Sequence, residues 1–424
     1  MRRVSALSLV PALALAVAGV VVPAGPAPAQ ADDIRPVTGT IGYQQRIALP
    51  PEAEAIVVVE GRFGAMLGET ILDPDGRQVP LPFEITVPSG LSGDLSAVIR
   101  VLGDARWVLE GVTFEAGRNP VDLGGLTLEP VTPLAFAAEY VCGDIPVSVG
   151  VLDGRMVLRV EGREIMLEQV RAASGARYEA PGEADTLVWN KGDTLTLRVD
   201  GRDFPECTRR PAAEKAPYRA QGNEPGWHVT LTADSATVAA DYGDITREVP
   251  RPEVQVMPGA YQFEMPQAGA ALRIEESICH DDATGMPHPD TARLTLDGRS
   301  LRGCGGAPAD LLTEHLWRIT AIGGAELVEP ERLSLNFLPP DRVAGSSGCN
   351  RIIGSFNLTG ESLQFGTMGS TMMACDDPLM AQERRMLDAL EQVTRFDITP
   401  DGTLILIGGP DGDVLLEARP PAPD

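Results

Sequence analysis

Short runs of alternating apolar and polar residues recur along the chain, separated by turns rich in Gly, Pro and Asp. Alternation with a period of two puts one set of side chains on each face of a strand, so these runs predict half-buried β-strands. Examples are Ala55–Glu60, Met156–Val160, Leu195–Val199, Ala292–Leu296, Leu333–Phe337 and Thr403–Ile407. Aspartate-glycine pairs that suit tight hairpin turns lie between such runs, at Asp153-Gly154, Asp200-Gly201, Asp297-Gly298 and Asp401-Gly402. The pattern predicts a mainly β protein with antiparallel sheets.

One segment near the end of the chain has a helical period instead. Asp377-Pro378 precede an apolar stripe at three- and four-residue spacing, with charged residues between its members. Proline is favoured in the first turn of a helix, where its missing N–H leaves no intrahelical bond unmade. The segment therefore predicts one amphipathic helix, whose stripe consists of Leu379, Met380, Met386, Leu387 and Leu390.

The first residues are typical of a secretory signal peptide. Met1-Arg2-Arg3 are followed by an apolar run from Val4 to Val22 and by Ala29-Gln30-Ala31, a small-x-small cleavage pattern. A retained membrane helix is the alternative, but several prolines interrupt the run and no second apolar span follows. No Cys lies near the cleavage point, so a lipid anchor is not indicated. We expect cleavage after Ala31 and a periplasmic or secreted chain with no stable membrane insertion.

The six cysteines fall into three neighbouring pairs, each inside its own segment of the chain. Six cysteines allow 15 pairings, so sequence alone leaves the connectivity open. An even count in an exported chain favours disulfides, and sequential pairing is the simplest choice if each domain folds alone. A zinc site is the alternative, although no C-x-x-C or close His partner supports it. The residues are Cys142, Cys207, Cys279, Cys304, Cys349 and Cys375.

The formal net charge of -25 bears on the choice of partner. Nucleic acid is disfavoured, because its phosphates would repel such a surface. A basic protein partner is favoured, and long-range attraction to it would weaken as salt increases. The 424 residues are too many for a single core and suffice for several ordinary domains.

Residues 32–132 are expected to form a first domain. Arg46-Ile47-Ala48-Leu49-Pro50-Pro51 precede a strand through Val57-Val58-Val59, and Leu81-Pro82-Phe83-Glu84-Ile85 begin a later strand. These features resemble the YbaY/YscW-like lipoprotein family, although the lipid-attachment Cys of that family is missing. The resemblance implies a β-sandwich without catalytic groups.

Residues 133–210 carry the motifs with the most specific implication. Tyr140-x-Cys142, Ala173-Ser174-Gly175-Ala176-Arg177-Tyr178, Trp189-Asn190-Lys191-Gly192-Asp193 and Cys207 follow one another in this order. The combination resembles the membrane-bound and periplasmic inhibitors of C-type lysozyme (MliC/PliC), which are small antiparallel β-barrels. The resemblance implies that Ser174 and Lys191 enter the lysozyme cleft.

Two further residues of these motifs, Arg177 and Tyr178, are candidate lysozyme contacts, with barrel packing or loop shaping as the alternative role. We expect Trp189 to be a core residue. Ser174 could instead satisfy only its own turn, and Lys191 could be a solvated surface residue. The segment Ala180–Thr186 is longer than the usual connector between the two motifs, which bears on how Ser174 and Lys191 lie relative to each other.

Residues 211–308 follow a linker rich in Pro and Ala and are expected to form a third, β-rich domain. Gly222-Asn223-Glu224-Pro225-Gly226-Trp227 resembles an uncharacterised GNEPFW-type family of exported β-domains, with Gly226 in place of the aromatic residue. The family implies no activity. A metal site and a disulfide-tied polar loop are the two interpretations of His280, Asp281, Asp282, Met286 and His288.

Residues 309–424 resemble the META/HslJ family over nearly their whole length. Leu316-Trp317, Gly345-Ser346-Ser347-Gly348-Cys349-Asn350-Arg351 and Thr371-Met372-Met373-Ala374-Cys375 carry the resemblance, which implies a β-sheet with one packed helix. Asn350 is expected to bond the backbone of its own turn. The methionines are interpreted as core packing of the helix, with copper or a hydrophobic partner as the alternative; they are Met368, Met372, Met373, Met380 and Met386.

The sequence thus predicts four small antiparallel β domains in series: a sandwich, a barrel, a β-rich domain and a META-type sheet. The motifs of hydrolases, metalloproteases, phosphate-binding loops and zinc sites are absent, so we expect no enzyme, cofactor or metal. The leading hypothesis is an exported inhibitor of C-type lysozyme, a basic protein partner. The alternative is a cell-envelope stress or assembly scaffold without inhibition, and a third hypothesis is a hydrolase that binds carbohydrate.

Overall fold

The computed structural model describes residues 33–152, 154–182, 185–192, 194–210 and 216–421. The predicted signal peptide, Asp153, Asp193 and most of the predicted linker lie outside these ranges. Within them the protein is mainly β, as the alternating pattern predicts, with barrel and sheet domains in series. No helix of the described ranges has the length and apolar character that a membrane crossing requires.

The first part of the chain forms two sheets, which contribute to one hydrophobic core. Their orders are β4-β1-β7 and β3-β2-β5-β6-β8. Alternate residues of β2 and β4, such as Val57, Val59, Phe83 and Ile85, are buried. One pair departs from the predicted antiparallel pattern, because β1 and β7 run parallel. The strands are β1 Ile34–Gly42, β2 Ala53–Glu60, β3 Met66–Leu72, β4 Leu81–Pro88, β5 Gly93–Val101, β6 Asp104–Phe114, β7 Val121–Thr127 and β8 Glu129–Pro130.

The second part is a closed barrel. Eight strands pair in the order β9-β10-β11-β12-β13-β14-β15-β17, and β17 returns to β9, so this ring has no free edge. Its buried residues form a hydrophobic cluster of their own. The strands are β9 Ala138–Cys142, β10 Ile145–Leu152, β11 Arg155–Val160, β12 Arg163–Val170, β13 Ala176–Glu179, β14 Leu187–Asn190, β15 Thr194–Val199, β16 Arg202–Asp203 and β17 Cys207–Arg209.

The third part is one nine-stranded antiparallel sheet, in the order β21-β20-β19-β18-β28-β27-β24-β23-β22, with a small β25-β26 ladder beside it. Its strands are β18 Tyr218–Asn223, β19 Gly226–Leu231, β20 Ser235–Ala240, β21 Ile245–Pro250, β22 Val254–Met257, β23 Ala260–Met265, β24 Ala270–Glu275, β25 Cys279–His280, β26 Pro287–His288, β27 Asp290–Leu296 and β28 Arg299–Gly305. Its buried residues belong to the same hydrophobic cluster as those of the first two sheets. The barrel is therefore inserted, along the chain, between two parts that share a core.

The last part is a sheet with one long helix, as the apolar stripe predicts. The sheet order is β33-β32-β31-β30-β29-β37-β36-β35, and β34 pairs with β32. Helix α2 buries Met386 and Leu390 in the core that it shares with this sheet, and its Leu379 is buried as well. The elements are α1 Asp310–Thr313, β29 Leu316–Ile322, β30 Leu333–Leu338, β31 Arg342–Ser347, β32 Arg351–Leu358, β33 Leu363–Phe365, β34 Gly369–Ser370, α2 Asp377–Glu391, β35 Val393–Ile398, β36 Leu404–Gly408 and β37 Asp413–Arg419.

Three disulfides join neighbouring cysteines along the chain: Cys142–Cys207, Cys279–Cys304 and Cys349–Cys375. This is the sequential pairing that the sequence favours. The first bridge links β9 to β17, and both of its cysteines are fully buried. Its cysteines are separated by 65 positions, so in the chain-entropy model it stabilises the barrel by roughly 4 kcal/mol.

Candidate functional site

Ser174 and Lys191 lie at the same end of the barrel. Ser174 belongs to the loop between β12 and β13, and Lys191 to the turn between β14 and β15. Strands β13 and β14 are antiparallel neighbours, with Ala176 opposite Asn190, so the loop and the turn meet at this end. Both Ser174 and Lys191 are exposed. The longer connector joins the other ends of β13 and β14, at Glu179 and Leu187, so it does not separate Ser174 from Lys191.

Trp189 contacts both segments at once. Its indole Nε1 donates a hydrogen bond to the Ser174 carbonyl oxygen at 2.8 Å. The Nζ of Lys191 lies 3.7 Å from the centroid of the same ring, within the range of a cation–π interaction. One side chain therefore ties the Ser174 loop to the Lys191 ammonium and limits how far the two can separate.

The expectation that Trp189 is a core residue is wrong. Along β14, Val188 is fully buried in the barrel and Trp189 is only half-buried, because successive side chains of a strand point to opposite faces. The ring lies on the outside of the barrel, where the Lys191 ammonium lies over one of its faces.

Gly175 allows the close approach of the two segments. Its φ of +69° lies in the left-handed region, which residues with a Cβ rarely adopt. A Cβ at this position would lie 2.3 Å from the Asn190 carbonyl oxygen and 3.3 Å from Cγ of Lys191. Any other residue would push the Ser174 loop away from the Lys191 turn.

Asn190 and Tyr140 hold the Lys191 turn in place, a role that is missing from the sequence-based prediction. The Asn190 Nδ2 donates to the Tyr140 hydroxyl at 3.3 Å, and its Oδ1 accepts from the Gly192 N–H at 2.9 Å. The Lys191 N–H donates to the Thr194 carbonyl at 3.0 Å. Tyr140 is buried in the barrel core. The Asn-Lys-Gly order is the signal that could have pointed to this role, since Asn side chains often bond the backbone two residues on.

Two other candidate contacts lie differently. Tyr178 is buried in the barrel core at 7% exposure, which favours its alternative role of barrel packing over that of a lysozyme contact. Arg177 is half-buried and pairs with Glu179 at 2.6 Å, which leaves part of its guanidinium accessible. Arg177 lies directly opposite Trp189 in the ladder.

The candidate metal ligands of the third part make hydrogen bonds within the protein. His280 bonds Asp397 at 2.8 Å, His288 bonds the Gly306 carbonyl, and Asp281 accepts bonds from Asn223 and its own turn. Among the described residues no group of three His, Cys, Asp or Glu could hold a metal. These bonds favour the interpretation of a polar loop tied by the Cys279–Cys304 disulfide.

The methionines of the last part divide into two groups. Met386 is buried in the core under α2, and Met368 packs against that core while partly buried. The expectation of core packing is wrong for Met372, Met373 and Met380, which are exposed.

Asn350 serves a different purpose from the expected one. Its amide Nδ2 donates to Glu383 of α2 at 3.0 Å, and its Oδ1 accepts from the Thr371 hydroxyl at 2.7 Å and the Met373 N–H at 2.8 Å. The side chain thus links the helix to the segment before Cys375 instead of bonding the backbone of its own turn. This is an internal network of the last sheet, because Asn350 is buried.

Three family models match the chain, one after another. Residues 32–107 match the type III secretion system lipoprotein chaperone (YscW) family. Residues 140–204 match the family described as membrane-bound lysozyme-inhibitor of c-type lysozyme, and residues 310–420 match the META domain. The lysozyme-inhibitor match covers the loop and the turn that carry Ser174 and Lys191.

Among solved structures, an alternative pilotin from the type II secretion system of Vibrio cholerae is 25% identical over 23% of this chain and 98% of its own, with a TM-score of 0.20. A protein from Burkholderia xenovorans is 26% identical over 28% of this chain and 90% of its own, with a TM-score of 0.24. No curated protein gives a significant match.

Proposed function

We propose that this protein is an exported inhibitor of C-type lysozyme whose Ser174 and Lys191 enter the catalytic cleft of the enzyme. The observation that carries the proposal is the shared contact of Trp189 with the Ser174 carbonyl and the Lys191 ammonium on an exposed barrel end. The match of residues 140–204 to a lysozyme-inhibitor family supports the same assignment.

The chemistry of the cleft explains why these two side chains suit it. A C-type lysozyme works with a protonated Glu and an ionised Asp on either side of the bond it cleaves. The Lys191 ammonium offers a positive charge and three donors to those carboxyl groups. The Ser174 hydroxyl can both donate and accept, so it can bond whichever carboxyl group is protonated.

Rigidity of the barrel end favours tight binding. The loop and the turn are held by Trp189, Gly175 and Asn190 before any partner arrives, so little conformational entropy is lost on association. The net charge of -25 attracts a basic enzyme over long range, and the local cation at Lys191 then pairs with the acidic cleft. Arg177 is a further candidate contact at the edge of this surface.

A second candidate function is an envelope scaffold that does not inhibit lysozyme. The observation that favours it is the shared core of the first and third parts, joined to a match with a secretion-system lipoprotein chaperone. In this case the barrel would serve only as an inserted module, and Lys191 would be an ordinary surface lysine.

Lysis of cell walls by a C-type lysozyme, measured with increasing amounts of the purified full chain, tests the proposal. We expect the unaltered chain to inhibit, and Lys191→Ala to weaken inhibition by about 30-fold or more, equivalent to the ~2–5 kcal/mol of a buried paired cation. Arg159→Ala is the matched control. Arg159 pairs with the exposed Glu164 and lies near the end of β11 that is away from Ser174 and Lys191.

The outcomes separate the candidates. If Lys191→Ala inhibits as well as Arg159→Ala, the insertion of Lys191 is wrong even though the protein inhibits. If the unaltered chain does not inhibit lysozyme at all, the result favours the envelope scaffold as the function.

A further inference from the structure

A shallow open cleft of about 370 Å³ lies on the outer face of the third part of the chain. Strands β18, β19 and β20 form its floor, where small residues, Gly226 and Ala239, leave a depression between larger neighbours. The cleft is remote in sequence from the Ser174 loop, and the proposed function makes no use of it.

Polar side chains line the cleft in one row. Gln221 and His228 face each other across β18 and β19, and Arg219 lies two residues before Gln221 on the same face. Neither the Gln221 amide nor the His228 ring makes a hydrogen bond to any described residue. Burial lowers the pKa of His228, with repulsion from Arg219 adding to the effect, so the ring is neutral at pH 7 and offers one donor and one acceptor. These groups are free to bond a ligand.

An exposed aromatic ring borders the row. Tyr242 is 77% exposed, and its ring lies against Gly226, where an added Cβ would come within 2.9 Å of the ring. Its hydroxyl is 3.4 Å from a Glu224 carboxylate oxygen. Gly226 stands where the GNEPFW-type motif has an aromatic residue, and the Tyr242 ring covers that position instead.

The backbone that presents this ring is strained. Asp241 and Tyr242 have φ values of +52° and +58°, a conformation that L-residues with large side chains avoid. Arg299 holds the turn in place through two bonds to the Asp241 carboxylate, at 3.1 and 2.8 Å. Backbone strain is found at many binding sites as well as in hairpin turns, and here it presents the exposed Tyr242 ring at the border of the cleft.

We propose that this cleft binds a neutral saccharide, with the Tyr242 ring against one face of a pyranose and with Gln221 and His228 bonding its hydroxyl groups. A flat amphipathic ring beside unpaired neutral donors and acceptors matches a sugar, which has an apolar C–H face and a polar edge. Arg219 lines the cleft, and the Glu224 carboxylate lies beside it at the Tyr242 hydroxyl, so charges of both signs border the cleft and neither an anion nor a cation is favoured.

Calorimetric titration of the full chain with a tetramer of N-acetylglucosamine tests the proposal. We expect saturable binding that Tyr242→Ala and His228→Ala each weaken at least tenfold and that Tyr242→Phe largely retains, because the ring remains. Thr237→Ala is the matched control, because Thr237 lies on β20 two residues before Ala239 and outside the cleft lining.

Absence of saturable binding, or binding that survives both Tyr242→Ala and His228→Ala, would overturn the assignment. Circular dichroism of each variant checks that the sheet is intact. The result is independent of lysozyme inhibition, because Lys191→Ala should bind the saccharide normally and Tyr242→Ala should inhibit lysozyme normally.

Discussion

The guanidinium of Arg62 forms an ion pair with the carboxylate of Asp290, a residue 228 positions further along the chain. Asp290 is completely buried and also accepts a bond from the Tyr218 hydroxyl at 2.9 Å. The adjacent Phe63 ring makes edge contacts with Tyr218, Tyr261 and Phe263. This junction joins the first and third parts of the chain, which flank the barrel in sequence and share one hydrophobic core.

We expect Arg62→Met to destabilise the protein by about 3–5 kcal/mol, because it leaves the buried Asp290 carboxylate without a counter-charge. Urea unfolding measures the change. The double variant Arg62→Met, Asp290→Asn should recover part of the loss, since the uncompensated charge is gone. Arg77→Met, at an exposed turn, is the control. An Arg62→Met protein as stable as that control would contradict the role of the ion pair.

Glu276 predicts a pH dependence at the same junction. One of its oxygens accepts from the Ser92 N–H at 2.9 Å, and the other is buried without a partner among the described residues. Burial raises its pKa above the ordinary 4.5, although the bonds from Ser92 and the charge of Arg62 oppose the rise. The protonated form is therefore favoured in the folded state, so the contribution of Glu276 to stability is present below pH 4.5 and is lost as the pH rises through the folded pKa.

Glu276→Gln keeps the shape of the side chain and removes the titration. We expect the free energy of unfolding of the unaltered chain, relative to that of Glu276→Gln, to fall as pH rises from about 4 to 7 in a urea series. Exposed Glu84→Gln should leave the pH profile unchanged. Parallel profiles for the unaltered chain and Glu276→Gln would show that burial does not perturb this carboxyl group.

Trp189→Phe should show whether the indole N–H of Trp189 positions the Ser174 loop for inhibition or whether the ring only packs against Lys191. The substitution removes the indole N–H that bonds the Ser174 carbonyl and keeps an aromatic face under Lys191. We expect inhibition of lysozyme to weaken about fivefold, equivalent to the ~1 kcal/mol of one hydrogen bond. The melting temperature should change little, because the ring lies outside the barrel core. Inhibition equal to that of the unaltered chain would remove Trp189 from the mechanism.

Salt should slow the association of the protein with lysozyme. An acidic chain and a basic enzyme attract each other over distances that the Debye length limits, about 10 Å at 0.1 M salt. Stopped-flow measurement from about 0.05 to 0.3 M salt should record an association rate that falls roughly tenfold or more, while the dissociation rate changes less. An association rate that is independent of salt would exclude steering by the net charge of -25.

Much of the local structure follows from the sequence. Alternation of apolar residues predicts the strands at 55–60, 156–160 and 333–337, and the stripe after Asp377-Pro378 predicts α2. Side chains return to the same face every two residues in a strand and about every 3.6 in a helix, so a short stretch of sequence is enough to reveal either element. The loops that carry Ser174 and Lys191 are predictable in the same way, because turn residues such as Gly175 and Gly192 identify them.

The tertiary structure decided the rest. Periodicity marks two faces of β14 but does not say which one meets the barrel interior, and only the pairing with β13 and β15 turns Trp189 outward. The exposure of Met372 and the contact of Arg62 with Asp290 depend on parts of the chain that lie far apart in sequence. Side-chain identity determines which local structure can form, whereas long-range packing determines which surface of it remains available to a partner.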